Sequence, residues 1–283
     1  MFFTLVNYQD QKKGGKAMLK ITVVFVFLAL ICSVSFAAAP DELVLYMSFD
    51  KNTVNADKTV IDLSKYGNNG IMLGAPKVAA GHKGEALDFN GASDGVEIKT
   101  SDSLAKTAKQ ISMEAWIFPR LDAQIEIITK WDGVANGIIH FEIQAGGIIR
   151  YCMRRVDPAN AAADIVMVDL KTPGGKFKLN EWTHIAETYD GKTARIYVNG
   201  AEVLNGACAG EMRDNKDTKW WIGCLYGTQG RWFGGLIDEV RIWSKVLTPD
   251  EVKKAMDGTL VSNIAVEKEN KLPTVWGQLK NDQ

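Results

Sequence analysis

Gly234-Gly235-Leu236-Ile237-Asp238-Glu239-Val240-Arg241-Ile242-Trp243, with Thr248-Pro249-Asp250-Glu251 just after it, is the stretch on which the fold turns. Its first part alternates apolar and charged side chains, the period of two that marks a strand. As a regular strand it puts Ile237, Glu239 and Arg241 on one side, and Leu236, Asp238, Val240 and Ile242 on the other. The second part starts a helix. Thr248 caps it, Pro249 suits the first helical position and Glu251 closes a Thr-x-x-Glu capping box.

Working outward, nearly every segment repeats the strand pattern. Leu43, Leu45, Met47 and Phe49 alternate with Val44, Tyr46 and Ser48, and Ile111 to Phe118 alternates in the same way. Short β-branched and aromatic runs follow at 87–89, 96–98, 125–129, 138–143, 148–153 and 165–168. Between Trp182 and Leu204, three runs are joined by Asp190-Gly191 and Asn199-Gly200. Such pairs tolerate the positive φ of type I′ turns, so an antiparallel meander is expected. Strands throughout and one short C-terminal helix give an all-β fold of two antiparallel sheets packed face to face.

The N-terminus reads differently. Lys20, the apolar run Ile21 to Val34 and the small residues Ser35, Ala37, Ala38 and Ala39 have the order of a secretory signal, with cleavage after Ala37. The run has 14 residues, short of the ~20 needed to span a membrane. An uncleaved membrane anchor is the competing reading. Residues 1–37 are therefore set apart from a domain over 38–259 and a C-terminal tail over 260–283 that includes Trp276. Without residues 1–37 the net charge falls from −1 to −4, and no basic run remains to bind nucleic acid. The expected location is secreted, cell-surface or periplasmic. In an oxidising compartment Cys152, Cys208 and Cys224 leave one thiol over, and a Cys208–Cys224 disulfide is preferred. It would close a loop of about 15 residues, worth roughly 3 kcal/mol. Three buried, unpaired thiols are the alternative.

Four blocks in order resemble one family: Leu87-Asp88-Phe89-Asn90-Gly91 with Val96-Glu97-Ile98, Ile111 to Ile117, Asn180 to Gly200, and the strand from Gly234. They are similar to the laminin-G-like jelly rolls of the concanavalin A-like lectin/glucanase superfamily, over roughly residues 41–257. The resemblance implies a jelly-roll sandwich with its first and last strands adjacent. It also implies a structural Ca²⁺ held by Asp50, Asp238 and carbonyls of the Asn90-Gly91 turn, hard oxygen donors of the kind calcium takes. As turn-former and ion-pair partner respectively, Asp50 and Asp238 have plain structural readings as well. The fold hosts binders and glycosidases alike, so the resemblance leaves function open.

Catalytic signals are absent from the sequence. The paired-carboxylate string of related glucanases, Glu-x-Asp-x-x-Glu, does not occur, and Glu126 has no partners at those offsets. His82, His140 and His184 lie in separate segments, with no zinc or nucleophile motif around them. His140 and His184 read as buried, hydrogen-bonded structural residues. Recognition remains: Trp131, Tyr226, Arg231 and Trp232 put aromatic and charged groups in loops, the mixture that suits sugars. The expected function is a secreted, non-catalytic module that binds a glycan or an extracellular protein. The alternatives are a glycoside hydrolase with an atypical carboxylate pair and a structural or adhesive surface protein.

Overall fold

A computed structural model of the protein describes residues 39–131, 138–157, 160–208, 210–212, 217–226 and 230–261. Residues 1–38, where the sequence leads one to expect a secretory signal, and the tail from residue 262 with Trp276 lie outside the described residues. The chain runs through β1 (Leu43–Met47), β2 (Thr59–Val60), β3 (Gly70–Leu73), β4 (Lys77–Ala80), β5 (Glu85–Asn90), β6 (Gly95–Ile98), the helix α1 (Asp102–Ala105), β7 (Ile111–Pro119), β8 (Ile125–Lys130), β9 (Ile139–Gln144), β10 (Ile148–Asp157), β11 (Asn160–Lys171), β12 (Thr183–Tyr189), β13 (Thr193–Val198), β14 (Ala201–Ala207), β15 (Trp220–Ile222), β16 (Gly234–Trp243) and the helix α2 (Pro249–Met256). Two antiparallel sheets of eight strands result. The first has the order β14-β13-β12-β7-β16-β5-β4, with β1 also on β16, and the second β11-β10-β9-β8-β15-β6-β3-β2. This is the expected jelly-roll sandwich, with α1 as an addition. Among the described residues no helix is long and apolar enough to cross a membrane.

β16 is the hub of the first sheet. One side pairs with β7, and the other pairs with β5 at Gly234–Ile237 and with β1 beyond, Met47 lying opposite Val240. The opening and closing strands are thus neighbours. Where the partner changes, the register with β7 slips between Asp238 and Arg241, and Glu239 takes a left-handed φ of 53°. This bulge corrects the simple alternation, because two residues oppose one and the facing resets. Ile237, Val240 and Ile242 all enter the core between the sheets, while Arg241 and Trp243 turn to the outer face.

That face is closed by α2. The Thr248 capping box forms as read, with Glu251 N–H donating to Thr248 Oγ1 and Thr248 N–H to Glu251 Oε2. Val252 and Ala255 pack on Leu43, Ala186, Tyr197 and Trp243, with Ala39 and Val261 in the same cluster. Beneath the helix Arg241 is buried. It donates to Glu114 Oε1 and to the Ala255 carbonyl, each at 3.2 Å, and to Glu239. His184 Nε2 lies 3.1 Å from Glu114 Oε2, the structural role expected for that histidine.

The meander forms as β12-β13-β14. Asn199 and Gly200 have φ of 48° and 77°, as a two-residue type I′ turn requires. The Asp190 turn differs. Its carboxylate accepts the amides of Lys192 and Thr193 at 2.8 and 2.7 Å, so a side-chain turn replaces the type I′ geometry.

The preferred disulfide is not formed: Cys152, Cys208 and Cys224 are buried thiols and no bridge joins Cys208 to Cys224. The fold separates them. Cys208 leaves β14 at the edge of the first sheet, its amide on the Lys192 carbonyl, whereas Cys224 follows β15 in the second, against Gly95. Trp220 and Trp221 are both buried, where alternation alone predicts one.

Glu187 is buried, and neither carboxylate oxygen has a hydrogen-bond partner among the described residues. Burial pushes its pKa well above the usual carboxylate range, and Glu142, Glu126 and Cys152 push the same way. The folded protein therefore holds a proton that the unfolded chain releases near pH ~4.3, so stability falls as pH rises above that value. Glu187→Gln should flatten this dependence, matching wild type near pH 4 and exceeding it near pH 8 in guanidinium titrations. Arg241→Met should cost about 3–5 kcal/mol of unfolding free energy, because it strands Glu114 and Glu239 without their cation. Adding Glu114→Gln to that variant should recover part of the loss.

Candidate functional site

The outer face of the second sheet carries a concentration of buried charge. Glu126 lies directly opposite Glu142 in the β8–β9 ladder, and His140 stands two residues before Glu142 on the same face. The pattern Ile139, Phe141, Ile143 puts the alternate side chains of β9 in the core, which leaves His140 and Glu142 outward. A register slip between Glu126 and Ile128 buries Ile127 and Ile128 alike while Glu126 keeps its outward direction. The carboxylate partner missing along the strand is thus supplied across it.

Arg231 ties the pair together. Its Nη1 donates to Glu126 Oε1 and Glu142 Oε2, both at 2.9 Å, and its carbonyl accepts the Glu126 amide at 3.1 Å. The residue pays for this reach with a left-handed φ of 51°, an uncommon state for a side chain of its size. Arg150 Nη1 donates to Glu142 Oε1 at 3.1 Å and grips Asp169 through Nε and Nη2 at 2.6 and 2.9 Å. The amides of Gln124 and Gln144 add donors to Glu142 at 2.9 and 2.6 Å. His140 Nδ1 lies 3.0 Å from Glu126 Oε1.

These contacts split the two acids. Burial raises the pKa of Glu126, and neighbouring Glu142 adds to the rise against the His140 contact. Burial acts on Glu142 as well, but its hydrogen bonds from Gln144, Glu126 and Arg150 outweigh it and leave it below the ordinary range. Glu126, His140 and Glu142 have ligand atoms within 4.8 Å of one another, close enough for a metal. The Arg231 guanidinium already supplies a cation to both carboxylates there.

Three of the four loop residues singled out in the sequence meet at this face. The half-buried Trp131 ring leans on His140 with centroids 4.8 Å apart, and the Arg154 guanidinium lies 5.5 Å from its centre. Trp221 Nε1 donates to the Trp131 carbonyl at 2.9 Å, and its ring meets Tyr226 edge-on at 5.7 Å. Trp232, half-buried beside Arg231, makes no ring contact among the described residues.

The expected calcium residues divide. Asp50 and Asp238 both face the Gly81–Glu85 turn, Asp50 Oδ1 accepting the Glu85 amide and Asp238 Oδ2 the Lys83 amide, each at 2.9 Å. A Cβ on Gly84 would fall 2.3 Å from Asp50 Oδ1, and one on Gly81 2.7 Å from Asp238 Oδ2, so only glycine leaves this room. Asp238 Oδ1 is buried without a hydrogen-bond partner among the described residues, and burial, with Glu239 and Asp50 adding charge, lifts its pKa to about 8. An open hollow of about 640 Å³ lies over Asp50, Lys83, Gly84, Glu85 and Glu239. Gly91 is elsewhere: it follows the other end of β5 and packs on Leu121 and Gly234. A six-residue strand at ~3.3 Å per residue puts it too far away to join that set.

The sequence model of a laminin-G-like family in the concanavalin A-like lectin/glucanases superfamily matches residues 90–253, more than half of the chain. The chain belongs to this family. Solved structures agree on the fold. Domain 4 of AbnA, a GH43 extracellular arabinanase from Geobacillus stearothermophilus, in complex with arabinotriose, is 19% identical with a TM-score of 0.58, over 76% of this chain and 98% of that one. The binding domain of Paraclostridial Mosquitocidal Protein 1 is 17% identical with a TM-score of 0.60, over 77% and 52%. The binding domain of Botulinum Neurotoxin DC in complex with SialylT is 13% identical with a TM-score of 0.58, over 78% and 52%. This laminin-G-like chain thus spans about half the length of those two binding domains. No curated protein matches it by sequence.

Proposed function

We propose that this laminin-G-like domain is an exported, non-catalytic module that binds carbohydrate on the outer face of its second sheet. The observation that carries this is the half-buried Trp131 ring beside a ladder of fixed donors, Arg231, Arg150, Gln124 and Gln144. A sugar offers an apolar C–H face to stack on such a ring, and hydroxyls for the guanidinium and amide groups around it. The arabinotriose and SialylT complexes of structurally similar domains support saccharides as the ligand class. Export rests on the charged, apolar, small-residue order of residues 20–37. An extracellular protein partner is the outcome to accept if no glycan is bound.

The Glu126–Glu142 pair favours a second reading, glycoside hydrolysis. One acid raised and the other lowered is the division of labour that such catalysis uses. Against it, both carboxylates are fully buried and share the Arg231 guanidinium, where hydrolysis needs one at each side of an exposed bond. Release of reducing ends from polysaccharides, abolished by Glu142→Gln, would establish the hydrolase and overturn the binding module.

Asp50 and Asp238 are proposed to hold a structural calcium ion. The buried Asp238 Oδ1, without a hydrogen-bond partner among the described residues, is the oxygen that such an ion would take in place of the proton that burial holds there. At a calcium concentration a hundred times Kd, bound ion adds ~2.7 kcal/mol, so chelation should lower the Tm by roughly 5–10 °C. Asp238→Asn should remove that difference, and an unchanged Tm on chelation removes the ion from the domain. On a glycan array, Trp131→Ala should weaken binding about tenfold, the worth of one lost stacking contact, with its Tm unchanged.

A further inference from the structure

The outer face of the first sheet carries aromatic groups that neither the core nor the site above uses. β12 runs beside β7 with Thr183 opposite Ile117, so Trp116 and Phe118 of β7 share a face with Trp182. Phe118 and Trp182 lie 5.6 Å apart at 56°, and His82 stacks on Trp116 at 3.4 Å and meets Trp182 at 5.8 Å. Trp116, Phe118 and Trp182 are half-buried and belong to neither apolar cluster, while His82 is exposed. Trp116 is anchored by its Nε1 on the Met256 carbonyl at 3.2 Å, where α2 ends, so the helix covers the neighbouring part of the face and stops at this strip.

The strip continues into polar ground. Leu236 lies opposite both Phe118 and Asp88, and Asp88 pairs with Arg120 across the sheet. That pair is partly exposed and lines an open hollow of about 630 Å³. Its charges cancel locally, which suits an uncharged ligand. Guanidinium donors and carboxylate acceptors beside recessed aromatic faces match the hydroxyl rim and C–H face of a sugar ring.

We propose that this strip is a second saccharide site, taking a neutral oligosaccharide with its rings on Phe118 and Trp182 and its hydroxyls on the Arg120–Asp88 pair. The outer faces of a sandwich point away from each other, so one domain would hold two chains at once. The site stands on different residues from the first, though it shares the ligand class proposed there.

Columns of arabinan, xylan, β-glucan and mannan identify the polymer that retains the domain, and calorimetry with a short linear oligosaccharide of that polymer counts the sites. Two ligands per chain are expected for wild type, and Trp131→Ala and Trp182→Ala should each leave one site unchanged and weaken the other about tenfold. The double variant should be weakened about tenfold at both sites. One ligand per wild-type chain that Trp131→Ala weakens and Trp182→Ala does not, or two sites at full affinity in Trp182→Ala, overturns the second site and leaves the first standing. No retention on any column overturns both. Should Trp182→Ala fail to fold, the exposed Arg120→Ala replaces it, with at least a tenfold loss at one of two sites expected and unchanged binding decisive against the proposal.

Discussion

The extra residue at Glu239–Val240 is the constraint on which the molecule depends. β16 changes neighbours there, from β5 to β1, and the bulge resets which side chains face inward. Without it, Val240 and Ile242 would leave the core and Arg241 would enter it, with no carboxylate to meet. With it, Arg241 lies between Glu114 and Glu239 under α2. Burying such an ion group costs several kcal/mol per charge, and hydrogen bonds to each member offset that cost. The Ala255 carbonyl completes the arrangement, so the helix is held by polar contacts as well as by its apolar stripe. Just before the bulge, Asp238 faces outward and accepts the Lys83 amide, next to Asp50.

Local rules made the frame legible. Asn199-Gly200 requires positive φ at two successive positions and obtains it, and Thr248 with Glu251 forms its reciprocal cap. The short strands β2, β3 and β4 escaped notice, because two to four residues carry too little periodicity to read. The bulge escaped because a sequence shows alternation but not the slip that breaks it. The register with β7 and Glu239's left-handed φ reveal that slip.

The site was half legible for a related reason. Trp131, Tyr226 and Arg231 stood out as loop residues without a core pattern, and they do gather on one face. Glu142 did not stand out, because its link to Glu126 runs across a ladder and no offset along one strand expresses it. The hairpin itself was the available signal: pairing residues 125–130 with 139–144 puts the two acids opposite each other. Cys208 and Cys224 illustrate the reverse error. Closeness along the chain suggested a bridge, yet the path from β14 to β15 crosses from one sheet to the other.

Ala39 and Val261 lie in the same apolar cluster, beneath and beside α2. The described residues thus begin and end at one patch, as a pendant hangs from a single ring. Spliced into the loop of a host, such a unit would part its flanks by little and leave the host's own fold nearly undisturbed. Pulling on both flanks together would load α2 and the β1–β16 seam first, before any other strand pair felt the force.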